Sequence, residues 1–318
     1  YFSSFISSTT EPIGWFALFI LLTAVIVFLG VDKGIETVSK FMMPVLVLLT
    51  IFIAGYGLTV DGAMEGVAYY LKPSMEHFSV KTILAAMGQL FYSMSLAMGI
   101  MITYGSYMEQ SVRQIEIFDT AIAFLAGLMI IPGVFAFSGG TAESLNQGPG
   151  LMFVTLPKVF NSMPMGGLIG TAFFILVFFA ALTSAISLME TIVSIIMDKF
   201  KWNRNITVLF VTVLALLMGI PSSLGFGAWD HIKFIGMSIL DTFDFLSNSV
   251  LMPIAAFFTC VFVGYVIKPK TIIDEVKESD GTFKSEKLFT IMIKWIAPIF
   301  LIAILASSVA NAMGWFVI

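Results

Sequence analysis

Ala180, Thr183 and Ser184, within "FFAALTSAISLMETI", stand at i, i+3 and i+4. That spacing sets a backbone carbonyl and two hydroxyls on one helix face. Oxygen donors at one level suit a hard cation. Small residues at the same spacing equally make a helix packing face, so the spacing alone leaves both readings open. A second group interrupts the apolar stretch "LFYSMSLAMGIMITYG" with Ser93, Ser95, Ala97 and Gly99. A serine in an apolar helix can bond back to its own helix's carbonyl. Small residues placed among serines also free the backbone to leave helical geometry, which is tolerated at membrane depth only beside protein or a water-lined cavity. The stretch therefore reads as a helix break that builds a binding site. Asp119, Asp241, Asp244 and Asn248 are the other costly residues in or near apolar runs, at about 2.5–3.5 kcal/mol for a charge at the bilayer centre. Asp119, before the apolar run of "FDTAIAF", also suits a helix cap. Asp119 and Asp244 taken as a carboxylate pair would point to an intramembrane enzyme. Their expected placement at opposite membrane faces counts against that.

The elements that must position these residues follow from composition. The chain has 318 residues, of which 58% are hydrophobic and only 11% charged, beyond the apolar share of an ordinary soluble domain. The charges are bunched between apolar runs that approach the roughly 20 residues needed to cross a bilayer as a helix. The fold class is all-α transmembrane, with about eight spans expected near 13–30, 38–58, 83–108, 116–138, 164–197, 205–220, 241–267 and 288–318. Lys and Arg in the connections divide as 11 to 4, the larger set including Lys33, Arg113, Lys201, Lys268, Lys270 and Lys287. The larger set marks the cytoplasmic side, so both chain ends fall outside. A net charge of −4 offers no basic surface for nucleic acid. Cys260 lies alone in an apolar run and reads as a packing residue. The connection 139–163 carries its own Gly and Pro punctuation and is expected to fold back as short helices, a candidate lid. The opening "YFSSFISSTTEP" resembles the tail of an extracellular loop, so the chain is expected to start partway through a larger protein.

"GQLFYSMSLAMGIMITYGSYM", "GPGLMFVTLPKVF", "LVFFAALTSAISLMETIVS" and "DKGIETVSKFMMPVLVLL", in their order and separations, resemble the neurotransmitter:sodium symporter family, bacterial amino-acid branch. The resemblance covers essentially the whole chain. It implies a LeuT-type inverted-repeat transporter fold, N-terminally incomplete, with helices four to eleven present and the first three to be supplied by the rest of the protein. By the same resemblance, the protein is a Na⁺ symporter for small amino acids, neutral or hydrophobic, in the cell (inner) membrane, and not an enzyme. The resemblance places Tyr92, Ser93, Ser95, Met98, Ser184, Ala185 and Leu188 around the substrate. It places Ser93, Asp119, Ala180, Thr183 and Ser184 at Na⁺, with Asp119 departing from the family's commoner Asn. Asp244 matches an extracellular-gate carboxylate, and Gly34 with Pro44 match a helix end that unwinds. Gln89 and Ser93 resemble the family's chloride site, while Ala123 stands where chloride-independent members often carry an acid; Asp119 would supply that charge instead, so chloride independence is expected. A non-transporting sensor or scaffold of the same fold is the alternative.

Overall fold

The computed structural model describes residues 2–75, 78–107, 113–138, 150–280 and 282–313. In chain order the α-helices are α1 (Phe2–Ser7), α2 (Glu11–Phe28), α3 (Thr37–Leu58), α4 (Ala63–Leu71), α5 (Val80–Ser93), α6 (Ile100–Gly105), α7 (Arg113–Ser138), α8 (Leu156–Ser162), α9 (Gly166–Phe200), α10 (Arg204–Leu224), α11 (Ile239–Asp244), α12 (Met252–Val261), α13 (Pro269–Asp280), α14 (Glu286–Ile291) and α15 (Ala297–Ala312). Seven helical stretches among the described residues are long and apolar enough to cross a membrane: Glu11–Phe28, Val31–Leu58, Ile117–Phe137, Gly166–Phe200, Arg204–Leu224, Ile239–Val266 and Glu286–Ala312. The remaining expected span, 83–108, is two short helices, α5 and α6, with Met94–Gly99 non-helical between them. The chain is a multi-pass membrane protein.

Several spans are continued by wide π-helical turns. Those at Leu151–Thr155, Phe245–Leu251 and Met292–Ile296 each end two residues before a proline: Pro157, Pro253 and Pro298. Proline has no N–H and its ring collides with the carbonyl four residues back. A turn widened by one residue relieves that collision while the helix axis continues. The turn at Val31–Glu36 has a different partner. Its Gly34 is buried so close to α2 that a Cβ would run into the backbone carbonyl of Ile26. From Val31 to Leu58 the chain is helical throughout, with Pro44 inside α3, so the expected loosening at Gly34 and Pro44 is present here only as this π turn.

The chain forms two compact units, one of Tyr1–Ser74 with Ile117–Met218 and the other of Met75–Glu116 with Gly219–Ile318. In the first, α2 and α3 pack along α9, whose 35 residues make a rod of about 52 Å, long enough to exceed the hydrocarbon layer. Its core includes Ile53, Val134, Phe160, Ile169 and Phe173. Of the connection 139–163, residues 139–149 lie outside the described residues; the rest folds into the turn Leu151–Thr155 and α8. Leu156, Val159 and Phe160 of α8 are buried in this core, and the Tyr56 hydroxyl donates to the Pro164 carbonyl. In the second unit α12 packs on α15, and α5 also touches α15.

Candidate functional site

The helix that begins at Val80 stops at Ser93 because the backbone after it turns left-handed. Ser95 has φ 52° and Ala97 φ 62°, and Gly99, at φ 81°, caps the start of α6. Each non-glycine residue in this region costs roughly 1–2 kcal/mol. Ala97 is held there by packing against Ala256, Cys260 and Leu301. Gly99 carries no such cost, since it lacks a Cβ. The Met94 and Ser95 N–H groups still bond back to the Leu90 and Tyr92 carbonyls and the Gly99 carbonyl accepts from Thr103, so it is the peptide groups between Ser95 and Gly99 whose dipoles can face a ligand. Tyr92 and Ser93 are exposed at its rim; Ser95 and Met98 are half-buried within it. The Ser93 hydroxyl reaches the Leu90 carbonyl at a long 3.4 Å.

On α9, Ala180, Thr183 and Ser184 share the helix face that their spacing requires. Thr183 is buried, Ala180 half-buried and Ser184 exposed. The Thr183 hydroxyl donates to the carbonyls of Phe179 at 3.0 Å and Ala180 at 3.1 Å. A hydroxyl that donates its proton backward keeps lone pairs to accept a cation. Among the described residues there is no cluster of three His, Cys, Asp or Glu that could hold a metal. The donors on this face, the Ala180 carbonyl and the Thr183 and Ser184 hydroxyls, are neutral oxygens, which suit a hard cation better than a soft transition metal. Ala185 is half-buried and Leu188 exposed one turn farther on.

Asp119 lies six residues inside α7, which removes the helix-cap reading; it is half-buried and engaged by a neighbour. Ala123 is exposed one turn later. Asp244 ends α11 at an exposed position and accepts a 2.6 Å hydrogen bond from the Asn248 amide. Asp241 is a capping partner, bonded through its carboxylate to the Ser238 hydroxyl at 2.7 Å, which is a structural role. The residues thus fall into two groups. Tyr92, Ser93, Ser95, Met98 and Asp244 belong to one compact unit, and Asp119, Ala180, Thr183, Ser184, Ala185 and Leu188 to the other.

One polar feature was missed from the sequence. Glu190 is fully buried on α9, two turns beyond Thr183, and is held by Arg204, a residue that sequence reading counts only as a loop cation. The guanidinium grips both carboxylate oxygens, at 3.0 and 2.5 Å, and donates to the Val27 carbonyl at 3.0 and 2.7 Å. Val27 lies in the last turn of α2, and its carbonyl, which also accepts from the Gly30 N–H at 3.0 Å, spends its second lone pair on Arg204. One arginine therefore joins the end of α2, the middle of α9 and the start of α10. The available signal was that Glu190 is the only charged residue from 166 to 197.

The pattern of the sodium:neurotransmitter symporter family matches residues 6–315. The chain is 34% identical over 297 residues to the uncharacterized sodium-dependent transporter YhdH of Bacillus subtilis, covering 89% of this chain and 63% of that protein. It is 32% identical to an uncharacterized sodium-dependent transporter of Haemophilus influenzae, covering 95% of this chain and 66% of that one. The chain thus spans just under two thirds of the length of these relatives. The crystal structure of MhsT in complex with L-phenylalanine superposes with a TM-score of 0.83 at 40% identity, covering 96% of this chain and 70% of MhsT. That likeness establishes the LeuT-type transporter fold.

Proposed function

Because the chain belongs to the sodium:neurotransmitter symporter family, we propose that the protein is a secondary transporter that uses the Na⁺ gradient to take up a neutral, hydrophobic amino acid without needing chloride. The observation that carries this reading is the helix break at Met94–Gly99, with two non-glycine residues held left-handed. Backbone strain of that kind is retained where the freed peptide groups serve a ligand. An amino acid's carboxylate and ammonium are matched by peptide N–H and carbonyl groups, which a break supplies at membrane depth. In one unit Tyr92 and Met98 offer apolar surface beside the break, with Ser93 and Ser95 small enough to admit a side chain; in the other, the family resemblance assigns Ser184, Ala185 and Leu188 to the substrate. The complex of MhsT with L-phenylalanine supports a substrate of this class.

For the cation, Ala180, Thr183 and Ser184 supply neutral oxygens on α9, and the family resemblance also assigns Ser93 in one unit and Asp119 in the other to Na⁺. An ionised Asp119 beside Na⁺ lowers the net positive charge without an anion, which is the basis for chloride independence. Coupling needs no chemistry on the substrate. Na⁺ and the amino acid each shift the balance between outward- and inward-facing states by their difference in affinity for the two. Asp244, exposed near the outer end of its span, serves as a gate carboxylate, and the helix end at Gly34 and Pro44 admits water to release Na⁺.

The test is uptake of labelled phenylalanine by the complete protein in liposomes. An inward Na⁺ gradient should drive accumulation that an equal K⁺ gradient does not. Accumulation that is the same with K⁺ counts against Na⁺ coupling. Phenylalanine binding without accumulation under either gradient favours a sensor or scaffold instead.

A further inference from the structure

A cavity of about 350 Å³ opens where the α12 helix ends and α13 begins, against the helix that carries Lys294; Gly264, Tyr265, Lys268, Lys270, Thr290 and Lys294 line it. Three of these are lysines and none of the lining residues is an acid. Lys268 and Lys270 belong to the lysine-rich connection that the positive-inside rule assigns to the cytoplasm. Lys294 is different, because it stands inside the apolar span Glu286–Ala312. A lysine there is costly unless its ammonium meets an anion or reaches the interface. Among the described residues no carboxylate pairs with Lys268, Lys270 or Lys294, and the neighbouring Glu286 is taken by Lys277 at 2.6 Å.

The wall opposite is built with comparable care. Pro298 has no N–H to offer the carbonyl of Lys294, and the Tyr265 hydroxyl donates to that carbonyl at 2.9 Å. This bond fixes the Tyr265 ring, over which the Lys294 ammonium sits 5.7 Å from the centroid. Lys268, at φ 68°, turns the chain sharply into the 12-residue α13, whose positive dipole end starts at the cavity lining. Three lysines, a tyrosine and a helix start therefore line one cavity. The helices that carry Tyr265 and Lys294 also expose large apolar side chains, Phe262, Ile291 and Trp295.

We infer that this cavity binds the phosphate diester headgroup of an anionic phospholipid from the cytoplasmic leaflet. The lysines take the phosphate, and the acyl chains lie along Phe262, Ile291 and Trp295. A free phosphate shares the headgroup chemistry but has no use for these apolar side chains. The inference depends on the membrane spans alone and stands apart from the transport reading.

The test is lipid retention by the complete protein in neutral detergent, counted by native mass spectrometry after adding phosphatidylglycerol, phosphatidylcholine or inorganic phosphate. Phosphatidylglycerol should be retained several-fold more strongly than phosphatidylcholine, and millimolar phosphate should not displace it. Lys268→Gln with Lys294→Gln should weaken retention by roughly 25-fold, at about fivefold per lysine. Lys294→Arg, which keeps the charge, should retain most of it. Lys284→Gln with Lys287→Gln removes the same charge outside the cavity and should change little. Equal loss in both double variants would reduce the effect to diffuse attraction and overturn the site. Equal retention of phosphatidylcholine, or displacement by phosphate, would overturn the lipid assignment.

Discussion

Replacing Glu190 by Gln keeps the shape of the side chain and removes the charge that Arg204 grips. Glu190 is wholly buried, while the Arg204 side chain is 22% exposed. Breaking a buried pair from one side costs about 3–5 kcal/mol, because the survivor is left charged and uncompensated. Partial exposure of Arg204, and its continuing bonds to the Val27 carbonyl, place Glu190→Gln at the low end, about 3 kcal/mol. That is roughly a hundredfold in the folded-to-unfolded ratio. Arg204→Met should cost at least as much, because it leaves the wholly buried Glu190 carboxylate uncompensated, while the Val27 carbonyl keeps its bond from the Gly30 N–H. Glu190→Gln combined with Arg204→Met removes the charges together and should cost far less than the two single changes added. The assay is unfolding by sodium dodecyl sulfate in mixed micelles, followed by tryptophan fluorescence. A coupling of about 1.5–3 kcal/mol is expected from the double-mutant cycle. Single-variant costs that add to within about 0.5 kcal/mol would show that the two side chains act independently, and the role assigned to the pair would fall.

Thr183→Ala with Ser184→Ala should raise the Na⁺ concentration for half-maximal uptake far more than it lowers protein abundance; an unchanged Na⁺ dependence removes both residues from the cation site. Uptake by the unmodified protein should be equal in chloride and gluconate, and Asp119→Asn should abolish it or make it respond to chloride. A several-fold drop in gluconate with Asp119 intact would refute that account. Pro44→Ala should slow turnover while leaving equilibrium Na⁺ and substrate binding nearly intact, and an unaltered turnover number would deny that the helix end takes part in release. Gly34→Ala drives a methyl into the Ile26 carbonyl and should destabilise the protein by about 1–3 kcal/mol, read as a lower unfolding midpoint; a wild-type midpoint would mean that the close approach is not needed.

Apolar run length and the bunching of charge were enough to determine a helical membrane protein, because a backbone in hydrocarbon has few ways to satisfy its own hydrogen bonds. The break in the helix after Ser93 was legible for a local reason: small and polar residues at adjoining positions weaken the helix wherever it is placed. The oxygen face of Ala180, Thr183 and Ser184 was legible because helical periodicity alone aligns those residues. Spacing did not decide whether Asp119 caps a helix or sits within one, since an acid before an apolar run suits either place; α7 is already helical from Arg113. The Glu190–Arg204–Val27 junction was invisible for a stronger reason. Its three members come from separate helices, and Val27 lies 177 residues from Arg204. A lone acid in an apolar run announces that a partner must exist, but only the packing of α2, α9 and α10 selects which cation it is. The cavity around Lys294 follows the same logic. Pro298 leaves a carbonyl open by local chemistry, and the tertiary approach of Tyr265 closes it and leaves three lysines lining one cavity.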